Sequence, residues 1–166
     1  MKLRCSTCGE EHDLDSGEIG YDLPDDYFAL SAEERTARGK ANTDLCELDG
    51  RHFIRGVLPI PVLGENRSFG WGVWAEVSPD AFRRYYELYS NPDQGSERPF
   101  PGALANSLPG YPETLGLLLS VQMVSAEDRP TLTVTSEHPL RGEQLGGIYP
   151  ERVLELMSPW LHAESE

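Results

Sequence analysis

The chain has 166 residues, 39% of them hydrophobic, and its 28 acidic residues against 14 basic ones give a net charge of −14. A chain of this length is expected to form a single domain over residues 1–166, with a core that hides about 70% of its unfolded surface. The excess of acid repels phosphate backbones and anionic lipid, which argues against a nucleic-acid binder and a membrane-surface protein.

The longest largely apolar run, residues 115–124, is well short of the roughly 20 residues a membrane span needs. No apolar signal core follows Lys2 and Arg4, so a cytoplasmic protein is expected. A reducing compartment leaves thiols free for metal, and three cysteines fit a disulfide framework poorly.

Residues 1–15 form a Cys/His-rich knuckle with acidic spacers, followed by a polar-aromatic stretch over 22–30 that Pro24 interrupts. Ser31-Ala32-Glu33-Glu34 is a capping box, and the helix it opens should stop at Gly39. Residues 43–48 and 51–58 read as two strands joined by the turn Asp49-Gly50. Pro59 and Pro61 should end regular pairing or force an edge position. Residues 68–77 alternate, with Phe69, Trp71, Val73, Ala75 and Val77 on one face and Gly70, Gly72, Trp74 and Glu76 on the other.

Ser78-Pro79 starts a helix that runs to about Tyr89 and carries an aromatic stripe of Phe82, Tyr85, Tyr86 and Tyr89. Residues 91–110 read as a Pro/Gly-rich loop. Residues 115–125 and 131–136 read as a further hairpin, with Leu117, Leu119, Val121 and Met123 facing the core. His138-Pro139 opens a short helix, and residues 150–161 form a last helix broken by Pro159. Strands joined by tight turns, without βαβ alternation, predict an α+β domain. Its expected form is an antiparallel sheet of about five strands with helices on one face and an N-terminal zinc-knuckle-like loop.

Cys5-Ser6-Thr7-Cys8-Gly9 places two sulfurs on one tight turn, and Gly9 lets the backbone bend there. His12 follows four residues later, and Cys46 sits in the first predicted strand. Together they make a Cys₃His shell suited to zinc, which would staple the knuckle to the sheet through Cys46. Four protein ligands leave no position for water, so such a zinc is structural. His52 or a carboxylate could replace one ligand, or Cys46 could be a buried small hydrophobe. A redox pair is disfavoured by Glu10, Glu11, Asp13 and Asp15 around the cysteines.

The segments CSTCGEEH, DLCELDGRHFIRGVLPIPV, FGWGVWAEVS, ANSLPGYPETLGL and HPLRGEQLGGI resemble a bacterial family catalogued as a domain of unknown function, number 2199. The resemblance spans about residues 5–150 and implies no particular activity. The family's Cys-x-x-Cys and later Cys fall on Cys5, Cys8 and Cys46 and its His on His12, which implies the same ligand set.

Further residues invite a functional reading. Gly70 and Gly72 leave slots beside Trp74 that a ligand, or an internal helix or loop, could fill. Arg55 on a half-buried strand needs an anion, most simply an internal carboxylate. His138 stands where Ser, Thr, Asp or Asn is the usual helix cap, and with Glu143 and Gln144 it could face Trp74 or Arg55. Asn106 and Ser107 could rim a pocket or serve as turn residues.

No GxSxG, HExxH, P-loop or GxGxxG motif is present in the sequence. The expected function is therefore a non-enzymatic, zinc-stabilised acidic module that binds another protein, its charge favouring a basic partner. The alternative is a small enzyme or small-molecule binder with a pocket near Trp74, Arg55 and His138.

Overall fold

The computed structural model of the chain describes residues 2–5, 8–13 and 18–161. The chain begins with β1 (Lys2–Arg4) and β2 (Glu11–Asp13), an antiparallel pair with Leu3 opposite His12. Then come β3 (Glu18–Gly20) and a single helical turn, α1 (Asp25–Phe28). The capping box opens α2 (Ala32–Arg38): Glu34 N–H donates to the Ser31 hydroxyl, and Ser31 N–H donates to the Glu34 carboxylate.

Gly39 ends that helix but also begins a short strand, β4 (Gly39–Ala41), which pairs with β5 (Leu45–Leu48). The Asp49-Gly50 turn to β6 (Arg51–Pro61) has positive φ at both residues, 50° and 79°. That is the turn geometry whose twist matches an antiparallel hairpin. β6 then pairs along its length with β7 (Ser68–Val77), so that Arg55 stands opposite Trp74 and Ile60 opposite Phe69.

β6 continues through both prolines. Beside Pro59, the side of β6 away from β7 meets a glutamine instead of a strand: Gln144 Nε2 donates to Pro59 O at 3.0 Å. Ser78 caps α3 (Pro79–Leu88) by accepting from Ala81 N–H. The segment read as a loop over 91–110 contains β8 (Phe100–Leu104), whose Pro101 and Gly102 hide it from strand propensity. β9 (Leu118–Gln122) and β10 (Thr131–Val134) form the expected hairpin, and Leu119, Val121 and Met123 are buried. α4 (Pro139–Gly146) and α5 (Pro150–Leu161) follow. Pro159 does not break α5, which runs on to Leu161; the proline lacks the N–H that would donate to Glu155 O, and only two helical residues follow it.

The strand order runs β3-β7-β8-β9-β10-β6-β5-β4, and β6 also pairs with β7. That extra pairing closes β6, β7, β8, β9 and β10 into a five-stranded barrel. Four of its contacts are antiparallel, while β10 meets β6 in parallel at Thr131 and Val57. The closed mixed barrel corrects the expected open antiparallel sheet with helices on one face. The missed strand β8 and the parallel seam are the physical reasons.

Gly56 permits the seam, since a Cβ there would lie 2.8 Å from both Pro130 O and Leu132 Cγ. Phe69, Trp71, Val73 and Ala75 of β7 fill the core with Ile54, Leu58 and Ile60 of β6 and with Val121 and Leu132. Burying a side chain as large as Phe69 stabilises by about 2–3 kcal/mol. The opposite face of the β6–β7 ribbon carries a second cluster of Tyr27, Cys46, Leu48, Phe53, Trp74 and Ala105. No helix among the described residues is long and apolar enough to cross a membrane.

Candidate functional site

A cleft of about 650 Å³ opens between α3 and the β4–β5–β6 ribbon. Its sheet wall comes from Lys40, Leu45, Glu47 and His52, and its helix wall from Pro79, Phe82, Arg83 and Tyr86. The helix wall follows from helical spacing, because residues three and four apart share one side of α3. The expected aromatic stripe is thereby divided. Tyr85 is buried in the core, Tyr86 is exposed at the cleft, and the Tyr89 hydroxyl donates to Asp44 Oδ2 at 2.5 Å.

Glu47 and His52 are cross-strand partners, which sets their side chains on the same face. His52 Nε2 lies 3.3 Å from Glu47 Oε1, and Lys40 Nζ lies 3.4 Å from Glu47 Oε2. The His52 ring packs on Phe82 with centroids 4.8 Å apart. His52 Nδ1 is buried without a hydrogen-bond partner among the described residues. Burial, helped by the Glu47 charge, pushes the Cys46 thiol up to about 12. An apolar thiol of that kind is a poor nucleophile. The cleft therefore offers aromatic surface, cations and a histidine, in a volume typical of small-molecule sites.

The residues singled out from the sequence are placed elsewhere. Cys5 is buried in the main core, Cys46 is buried in the second cluster and Cys8 is exposed. The side chain of His12 lies outside what the structure describes. Among the described residues no group of three His, Cys, Asp or Glu side chains is arranged to hold a metal. The turn between β1 and β2 is nonetheless tight: Cys5 N–H donates to Glu10 O at 2.7 Å, and Gly9 N–H donates to Cys5 O at 2.8 Å. Gly9 takes φ of 77°, in the left-handed region.

Arg55 and Trp74 do come together, with the guanidinium 5.9 Å from the ring centre. The Arg55 side chain reaches Asp22 at 3.7 Å and donates to Thr43 O at 3.3 Å, while its Nε has no partner among the described residues. Burial, with Arg129 close by, pulls its pKa below the ordinary value. The slots at Gly70 and Gly72 are filled by β3, which pairs with them in parallel. A Cβ on Gly72 would lie 3.1 Å from Glu18 Oε1.

His138 is a helix cap. Its Nδ1 accepts from Leu140 N–H at 3.1 Å, which puts the ring proton on Nε2, 3.1 Å from Glu113 O. Glu143 accepts from Arg152 Nε at 2.8 Å. Burial, with Glu143 beside it, raises the pKa of Tyr111. Arg55 thus meets Trp74, whereas His138 and Glu143 each lie beside Tyr111. Asn106 does not rim a pocket: it is fully buried and tied to Trp74, Leu23 and Asp25.

Sequence reasoning passed over Lys40, Glu47, His52, Arg83 and Tyr86 as a set. Glu47 and His52 sit symmetrically about the Asp49-Gly50 turn, and this cross-strand pairing was the available signal.

Residues 4–148 match the family described as an uncharacterized protein conserved in bacteria, domain of unknown function 2199, and the chain belongs to this family. No curated protein and no solved structure matches the chain.

Proposed function

We propose that the protein is a non-catalytic binding module that takes up a small molecule in the cleft between α3 and the β4–β5–β6 ribbon. The observation that carries this reading is the cleft itself, about 650 Å³ and walled by Phe82 and Tyr86 on one side and the Glu47–His52 pair on the other. Small-molecule sites have this size and this mixture of aromatic surface with a few polar groups.

The test is a fluorescence titration with the uncharged probe N-phenylnaphthylamine. Saturable binding at one site is expected. Tyr86→Ala removes an exposed ring without touching the core, and should weaken binding by about 3–10-fold, the worth of one aromatic contact. Unsaturable binding, or binding indifferent to Tyr86, would remove the cleft from consideration.

The N-terminal hairpin supports a second, compatible proposal: a structural zinc ion held by Cys5, Cys8, His12 and Cys46. What favours it is the Cys5–Glu10 turn with Gly9 in the left-handed region, which places two cysteines at one hairpin tip.

A further inference from the structure

The lining of the cleft reverses the sign of the molecule. The chain as a whole carries two acidic residues for each basic one. The cleft is lined by Lys40, Arg83 and His52 against a single acid, Glu47. Glu47 is engaged on both oxygens, by Lys40 at 3.4 Å and by His52 at 3.3 Å. Arg83 has a weak partner outside the lining: Asp80 stands 3.5 Å away, and the two side chains are 68% and 93% exposed. Ion pairs this exposed are readily exchanged for a better one. The Lys40 side chain is 84% exposed as well, so both cations are free to turn towards a ligand.

The walls add shape to charge. Tyr86 presents an exposed ring on the helix side, and Phe82 one turn earlier is held against His52. A flat body between these rings would bring an acidic substituent within reach of Lys40 or Arg83. The surrounding field repels anions from most of the surface, so an anion is retained only where the lining turns positive.

We propose that the cleft selects an anionic ligand with a flat unsaturated body, of the class of aromatic carboxylates, sulfonates or phosphate esters. The proposal rests on the reading of the cleft as a small-molecule site. In it Tyr86 and Phe82 hold the flat body, Lys40 and Arg83 hold the acid, and Glu47 orients Lys40 and His52.

Two probes that share one ring system and differ by a sulfonate separate the two claims. Anilinonaphthalene sulfonate carries a negative charge, and N-phenylnaphthylamine is its uncharged counterpart. The anionic probe should bind the wild-type chain about tenfold tighter than the neutral one, an advantage that falls with added salt. The double substitution Lys40→Glu with Arg83→Glu, at two exposed positions, should abolish or invert that ratio. Circular dichroism of the variant shows that it folds, and the salt series on the wild type tests the same point without any substitution. Equal affinity for the two probes, or a preference that survives charge reversal and salt, overturns the anionic ligand while leaving the cleft as a site. Failure of both probes to bind overturns the cleft reading and this proposal together.

Discussion

Asn106 Oδ1 accepts the backbone N–H of Trp74 at 2.9 Å, and Asn106 has no exposed surface. The Asn106 amide also donates to Leu23 O and to Asp25 Oδ1, both at 3.0 Å. One side chain thereby joins β7 to the segment that carries α1 and covers the outer face of the ribbon. Without it, the buried Trp74 N–H and the part-buried Leu23 carbonyl each lose this partner.

Asn106→Ala should therefore cost about 3 kcal/mol, the sum of two orphaned groups at roughly 1–3 kcal/mol each. For a chain of this size that is a fall in Tm of roughly 6–12 °C. Thermal unfolding followed by circular dichroism measures it. A loss below about 1 kcal/mol would mean that water satisfies both groups.

Gly56 and Gly142 should respond to alanine in opposite directions. A Cβ at Gly56 meets Pro130 O and Leu132 Cγ at 2.8 Å, so Gly56→Ala forces the barrel seam apart and should cost about 1–3 kcal/mol. Gly142 lies within α4 with nothing near its Cβ position, so Gly142→Ala should stabilise by about 0.5–1 kcal/mol. Chemical denaturation of the pair gives both signs in one experiment. A harmless Gly56→Ala would show that the seam yields easily.

His138→Ala removes the acceptor for Leu140 N–H and should lower stability by about 1 kcal/mol. His138→Asn supplies another acceptor from a good capping residue and should recover most of that loss. Equal destabilisation by both would point instead to the contact of Nε2 with Glu113 O.

The zinc proposal predicts about one zinc per chain by elemental analysis of protein prepared without chelator. Cys5→Ser and Cys8→Ser should each lose the metal, and a strong chelator should lower the Tm. Cys46→Ser decides whether the shell reaches β5. Zinc retained in that variant would falsify the four-ligand shell and leave Cys46 as the buried hydrophobe its surroundings suit.

The sequence by itself determined the local elements. The Ser31–Glu34 box opens α2, Asp49-Gly50 closes the β5–β6 hairpin, the alternation of residues 68–77 sets which side of β7 faces the core, and Ser78-Pro79 starts α3. Each is decided by neighbours within a few residues, so a local pattern carries it. Only the tertiary structure decided that the sheet closes. The seam joins Val57 to residues over seventy positions later, and β8 passes through Pro101 and Gly102, which carry no strand signal. The candidate site divides in the same way. The Arg55 side chain was legible as one in need of a carboxylate, but the expected internal partner is not what it meets: Asp22 stands 3.7 Å away and is 98% exposed. The cleft was not legible, because it exists only where α3 lies across β4, β5 and β6. Its charge is likewise a property of which side chains that packing gathers, and the composition of the whole chain has the opposite sign.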